Sequence, residues 1–90
     1  MNKIDILRKQ IDIIDERILT SLAKRIEIVR KIGKFKKDQK ISALDKERWE
    51  QILKSNLRKG ESLGLSRKFV KNLLNLIHTY SIEIQKKNKL

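Results

Sequence analysis

The first third of the chain places two cations where a helix would bury apolar side chains. Ile18, Leu22, Arg25, Val29, Ile32 and Lys36 follow one another in steps of 4, 3, 4, 3 and 4 residues. That is the spacing of one helical face. Upstream, Ile4, Leu7, Ile11 and Ile14 extend the same stripe. No proline interrupts it, since the 90-residue chain has none. The pattern predicts one helix from about Lys3 to about Lys37, roughly 50 Å long at about 1.5 Å per residue. A compact chain of this size has a radius of gyration of only about 12 Å. The helix therefore overhangs its own domain, and its apolar stripe needs cover. We expect an intertwined homodimer in which the long helices pack together.

Two breaks divide the remainder. Asp38-Gln39-Lys40 is a polar interruption. Ser42, with Asp45 three residues on, resembles the start of a capped helix, predicted over Ala43 to Arg58 with Trp49, Ile52, Leu53 and Leu57 facing inward. Lys59 to Leu65 contains two glycines and reads as a loop. Ser66 is placed to cap a third helix over Arg67 to Lys86, whose inner side carries Phe69, Val70, Leu73, Leu74, Ile77, Tyr80, Ser81 and Ile84. The last residues, Lys86 to Leu90, are expected to fray. Residues 1–90 thus read as a single all-α domain of three helices. Gly33 is a weak point inside the first helix.

The stripe cations need a partner, because a desolvated charge costs several kcal/mol. No acidic residue is obviously spaced to pair with both Arg25 and Lys36, so an anionic ligand within the bundle is the simplest resolution. A formal charge of +12 adds a general attraction to anions. The basic residues are spread along the chain, however, and only 4% of residues are aromatic. Neither feature favours nucleic acid as the partner. There is no cysteine, hence no disulfide or thiolate metal site. No apolar run approaches the roughly 18 residues of a membrane span, and the N-terminus lacks a signal-like apolar core. A cytoplasmic protein is expected.

The available chemistry is narrow. With no cysteine and one histidine, cysteine nucleophiles and histidine-based zinc clusters are excluded, and no metal is expected. His78 lies beside the apolar face of the third helix and reads as a packing or surface residue. No phosphate-cradling glycine motif is present. What remains is fixed positive charge and hydrogen-bond donors. Arg25 and Lys36 lie about three turns apart on one face. Arg8 stands at the rim of the stripe, Asp45 and Arg48 begin the second helix, and Ser81 and Gln85 lie one turn apart on the third. Such a set can bind a small dianion and stabilise charge developing in a transition state.

Five segments carry a family resemblance. Leu7-Arg8-Lys9-Gln10-Ile11-Asp12-Ile13-Ile14-Asp15, Leu22-Ala23-Lys24-Arg25, Ile32-Gly33-Lys34-Phe35-Lys36, Asp45-Lys46-Glu47-Arg48 and Ser81-Ile82-Glu83-Ile84-Gln85 occur in this order. Together they resemble the all-helical, small dimeric chorismate mutases. The resemblance covers essentially the whole chain without a gap. It implies a Claisen rearrangement of chorismate to prephenate, toward phenylalanine and tyrosine. That reaction is pericyclic and needs no nucleophile, general base or cofactor. By carry-over, Arg25 and a partner subunit's Arg8 bind substrate carboxylates with help from Ser81. Lys36 and Gln85 hydrogen-bond the ether oxygen. Arg48 and Asp45 shape the pocket near the ring hydroxyl, and Ile32 is an apolar wall.

One position departs from the pattern. The family usually has Glu directly after the second-helix Arg, where it accepts a hydrogen bond from the ring hydroxyl; here Trp49 stands there. A register shifted to Lys46-Glu47 needs a two-residue deletion, puts Ala43 in place of the Asp and loses the apolar pair Ile52-Leu53. The gapless register is therefore kept. Trp49 is then either a core anchor or a site residue that alters hydroxyl recognition. Two other activities on the same fold stay open: an isochorismate pyruvate-lyase and a mutase of the amino analogue of chorismate. A non-catalytic basic helical module for acidic partners is the alternative from a different class.

Overall fold

A computed structural model describes residues 2–87 of the chain. Three helices follow one another: α1 Lys3–Asp38, α2 Lys46–Ser62 and α3 Arg67–Lys87. No strand occurs among the described residues. Helix α3 packs against both α1 and α2, which make no helix–helix contact with each other among the described residues. The all-α, three-helix expectation is met.

Side chains close the exposed N–H groups at each helix start. Asn2 Oδ1 accepts from the Asp5 N–H at 2.9 Å, and Ser66 Oγ accepts from the Phe69 N–H at 3.2 Å, as the sequence suggested for α3. At α2 the expectation needs correction: the helix begins at Lys46, and Asp45 is its cap, accepting from the Arg48 N–H at 3.0 Å. Ser42 accepts only from the Leu44 N–H, in a local turn. The cause lies in α1, where Lys36 Nζ donates to the Ala43 carbonyl at 3.1 Å. That oxygen belongs to the segment expected to be the first turn of α2, and here it points to a lysine instead.

Helix α2 also runs further than expected. Its last turn includes Gly60, which is buried against α3. A Cβ at this position would stand 2.7 Å from Val70 Cγ2, so only glycine allows this approach. The stop comes at Gly64, whose φ is +81°. There the Leu65 N–H reaches the Gly60 carbonyl and the Gly64 N–H reaches the Glu61 carbonyl, forming a Schellman motif. The end of α1 repeats this geometry with Lys40 at φ 55°, a conformation more at home with glycine. Helix α3 continues through Lys86 and Lys87, where fraying was expected. The remainder of that tail, 88–90, lies outside the described residues.

The core within one chain is small. Val29, Leu57, Val70 and Ile84 are the buried hydrophobic residues. On α3, Phe69, Leu73 and Tyr80 were expected inside and are exposed. They lie with Leu76 along a helical face that adjoins the one carrying Val70, Ser81 and Ile84. The stripe of α1 is likewise exposed over its N-terminal half, from Ile4 to Ile18. The shape is correspondingly long: 56 × 28 × 14 Å, with a radius of gyration of 16.6 Å. Gly33 sits buried in an unbroken α1. Among the described residues no helix is long and apolar enough to cross a membrane.

Candidate active site

A cavity of about 250 Å³ opens where the C-terminal parts of α1 and α3 meet the start of α2. It is smaller than the roughly 300–1,000 Å³ of drug-sized sites, so its occupant is small. From α1 it takes Arg25, Val29, Ile32 and Lys36, four successive members of the stripe. From α2 and the turn before it come Ala43, Asp45, Arg48, Trp49 and Ile52. Helix α3 supplies His78, Ser81, Ile82 and Gln85. Three cations thus face one carboxylate, a balance suited to a dianion.

Two of the three cations, Arg25 and Lys36, are each steadied by a neutral group. Arg25 Nη1 donates a short hydrogen bond to Ser81 Oγ. The Ser81 hydroxyl, buried, donates in turn to the Ile77 carbonyl at 2.8 Å. A hydroxyl has a single proton, so Ser81 is committed as acceptor toward Arg25 and fixes its guanidinium. Four of the five guanidinium N–H groups remain for a ligand. Lys36 spends one of its three protons on the Ala43 carbonyl. This contact ties down the connection between α1 and α2 while leaving two donors free. Neither Arg25 nor Lys36 has a carboxylate within ion-pair distance among the described residues.

Asp45 has a double position. Its Oδ1 caps α2 by accepting from the Arg48 N–H, so the cap that starts the helix also sets Arg48 at the cavity wall. Gln85 contributes an imbalance: its Oε1 is buried without a hydrogen-bond partner. Leaving such an atom unpaired costs about 1–3 kcal/mol. A bound donor would remove that cost, as would the amide turning its NH₂ toward a bound oxygen.

Trp49 and His78 close the remaining side. Their rings stack with centroids 4.0 Å apart and planes 15° from parallel. Burial lowers the His78 pKa from its usual 6.5, and the nearby Arg25 charge lowers it further. The imidazole is therefore neutral at pH 7.

Of the residues singled out from sequence, Arg25, Lys36, Gln85, Arg48, Asp45, Ser81, Ile32 and Trp49 all line this one cavity. Arg8 does not. It is exposed on the N-terminal half of α1, seventeen residues and about 25 Å along the helix from Arg25. His78 was read as a packing or surface residue, yet it lines the cavity. A signal was present: His78, Ser81, Ile82 and Gln85 are spaced as one helical face. A larger groove of about 610 Å³ runs along α2 past Lys54 and Arg58. A single helix forms it, so no groups from other elements converge there. No cluster of metal-ligating side chains occurs among the described residues.

Comparison with known proteins identifies the family. Residues 7–86 match the family described as Chorismate mutase type II. The T-protein of Enterobacter agglomerans is 32% identical over 71 residues, covering 79% of this chain. The chain spans only 19% of that protein's length. The family match includes every helix that lines the cavity, and on that ground the chain belongs to the chorismate mutase type II family, a family of isomerases.

Proposed function

We propose that the cavity binds chorismate and converts it to prephenate by a Claisen rearrangement. The observation that carries this reading is the convergence of Arg25, Lys36 and the unsatisfied Gln85 on one small cavity. The reaction breaks a carbon–oxygen bond and forms a carbon–carbon bond within one molecule. It consumes no proton and needs no nucleophile. The site has two tasks: to hold the dianion in its folded, reactive shape, and to stabilise negative charge growing on the ether oxygen.

Arg25, fixed by Ser81, takes one carboxylate. Lys36 and the Gln85 amide donate to the ether oxygen as its bond lengthens. Asp45 and Arg48 shape the end near the ring hydroxyl, and Ile32 provides an apolar wall. The second carboxylate falls to Arg8 of a partner subunit, because Arg8 of the same chain lies about 25 Å away along α1.

A homodimer is part of the same reading. The chain exposes 7778 Å², whereas a compact monomer of 10.7 kDa exposes about 5,500 Å². The excess, roughly 2,300 Å² per chain, is the scale of an obligate interface. The exposed apolar stripes of α1 and α3 are the surfaces such a dimer would cover. A cytoplasmic location completes the reading.

The experiment is to incubate the purified protein separately with chorismate and isochorismate and identify the products. Prephenate from chorismate is expected. Pyruvate release from isochorismate without prephenate formation would replace the mutase with a lyase. Mixing Arg8→Ala and Arg25→Ala proteins tests the shared site. Half of the random dimers are mixed and each regains one intact site, so about a quarter of wild-type activity should return. No recovery would refute the donation of Arg8.

A further inference from the structure

The stacked pair Trp49 and His78 is not explained by the roles assigned so far. It brings together two elements, α2 and α3, at the wall of the cavity. Trp49 covers one face of the imidazole and so limits its rotation. His78 makes no hydrogen bond among the described residues, although it stands on the same face of α3 as Ser81 and Gln85.

The surrounding chemistry gives that imidazole a distinct use. From α1, Arg25 and Lys36 can only donate hydrogen bonds, as can Arg48 and the Trp49 indole from α2. Asp45, the one carboxylate of the cavity, spends part of its accepting capacity on the Arg48 N–H. A neutral imidazole has one ring nitrogen that donates and one that accepts. Burial and Arg25 both keep His78 in that neutral form. It therefore adds an uncharged acceptor to a cavity dominated by donors.

We infer that His78, held by its stack on Trp49, is a specificity-determining residue that accepts a hydrogen bond from the ring hydroxyl of the bound dianion. The inference rests on the chorismate reading of the cavity and adds to it a choice between substrates. An uncharged acceptor suits a hydroxyl. The pocket accordingly favours a substrate that bears the ring hydroxyl over one that lacks it. Trp49 acts through His78 and is a positioning residue.

The test compares wild type and His78→Leu on chorismate and on its analogue lacking the ring hydroxyl. His78→Leu should lower kcat/KM for chorismate about three- to tenfold, the scale of one neutral hydrogen bond, and leave the deoxy analogue nearly unchanged. His78→Asn or His78→Gln should restore the discrimination, depending on which ring nitrogen accepts. If His78→Leu does not fold, these two variants carry the test, since one of them should still tell the two substrates apart. Trp49→Ala should weaken the discrimination while Trp49→Phe retains it. Equal losses on both substrates, or no loss on chorismate, overturn the role of His78 alone. A wild-type protein that turns over no chorismate overturns the mutase reading and this inference with it.

Discussion

From Ile4 to Leu19, α1 presents apolar side chains that stay largely in solvent: Ile11 is 55% exposed and Ile18 52%. From Leu22 to Lys36 the same stripe meets α3, and Val29 is only 6% exposed. The sequence pattern is the same in both halves. The difference is that the second half has a partner within the chain and the first does not. Cations occupy stripe positions only in the second half, where a cavity accompanies the packing. The first half has apolar residues at every stripe position from Ile4 to Ile18. One half lines a cavity, and the other leaves its apolar stripe exposed.

The contrast can be broken most severely in the N-terminal half. Replacing Ile11 and Ile18 together by Glu should abolish the dimer and with it activity. Each Ile forfeits about 1.5–3 kcal/mol of burial, and each new charge resists desolvation. Sedimentation would report the mass, and an unchanged dimer would show that this half is not the interface. In the C-terminal half, Arg25→Ala or Lys36→Ala should lower kcat about 10²- to 10³-fold, or roughly 2.7–4 kcal/mol per lost donor. Circular dichroism should show the helices intact. Near-normal turnover in either variant would remove it from the catalytic assignment.

Gly60→Ala separates packing from chemistry on the site-bearing side. Its Cβ would press on Val70 at 2.7 Å, an overpacking worth about 1–3 kcal/mol. A lower Tm with little change in kcat is expected; an unchanged Tm would mean that α2 and α3 adjust freely. The smallest effect is a titration. Because the folded-state pKa of His78 lies below 6.5, the unfolded chain binds its proton first as pH falls. Stability should therefore decline from about pH 6.5 down to the lowered value and then level off. The single Trp, Trp49, stacks on this ring, so its fluorescence should report a midpoint below 6.5. Arg25→Ala should move that midpoint upward, since it removes one of the two causes. A midpoint at or above 6.5 in wild type would contradict the burial of the imidazole.

Much of the fold was legible because helices are local. The α1 stripe and the Ser66 cap of α3 depend on residues three or four positions apart. The start of α2 was misread because Ser42 and Asp45 are both good caps, and only the contact of Lys36 with the Ala43 carbonyl separates them. Gly60 was misread as loop for a similar reason. A glycine signals a turn unless a neighbouring helix needs the space, and that neighbour is Val70, ten residues later. The inner side of α3 was drawn too wide. One chain covers only the part that faces α1 and α2, leaving Phe69, Leu73 and Tyr80 outside.

By itself, the sequence determined three helices, a first helix too long for its own domain and two cations set within an apolar stripe. Periodicity and charge are properties of residues a turn apart, so they survive without knowledge of the rest. Only the tertiary structure decided what those cations meet. Arg25 reaches Ser81 across 56 residues of chain, and Trp49 meets His78 because α2 and α3 cross at that level. Such contacts depend on how the helices pack against each other. That packing turned a pattern of isolated charges into one cavity lined by Arg25, Lys36 and Arg48.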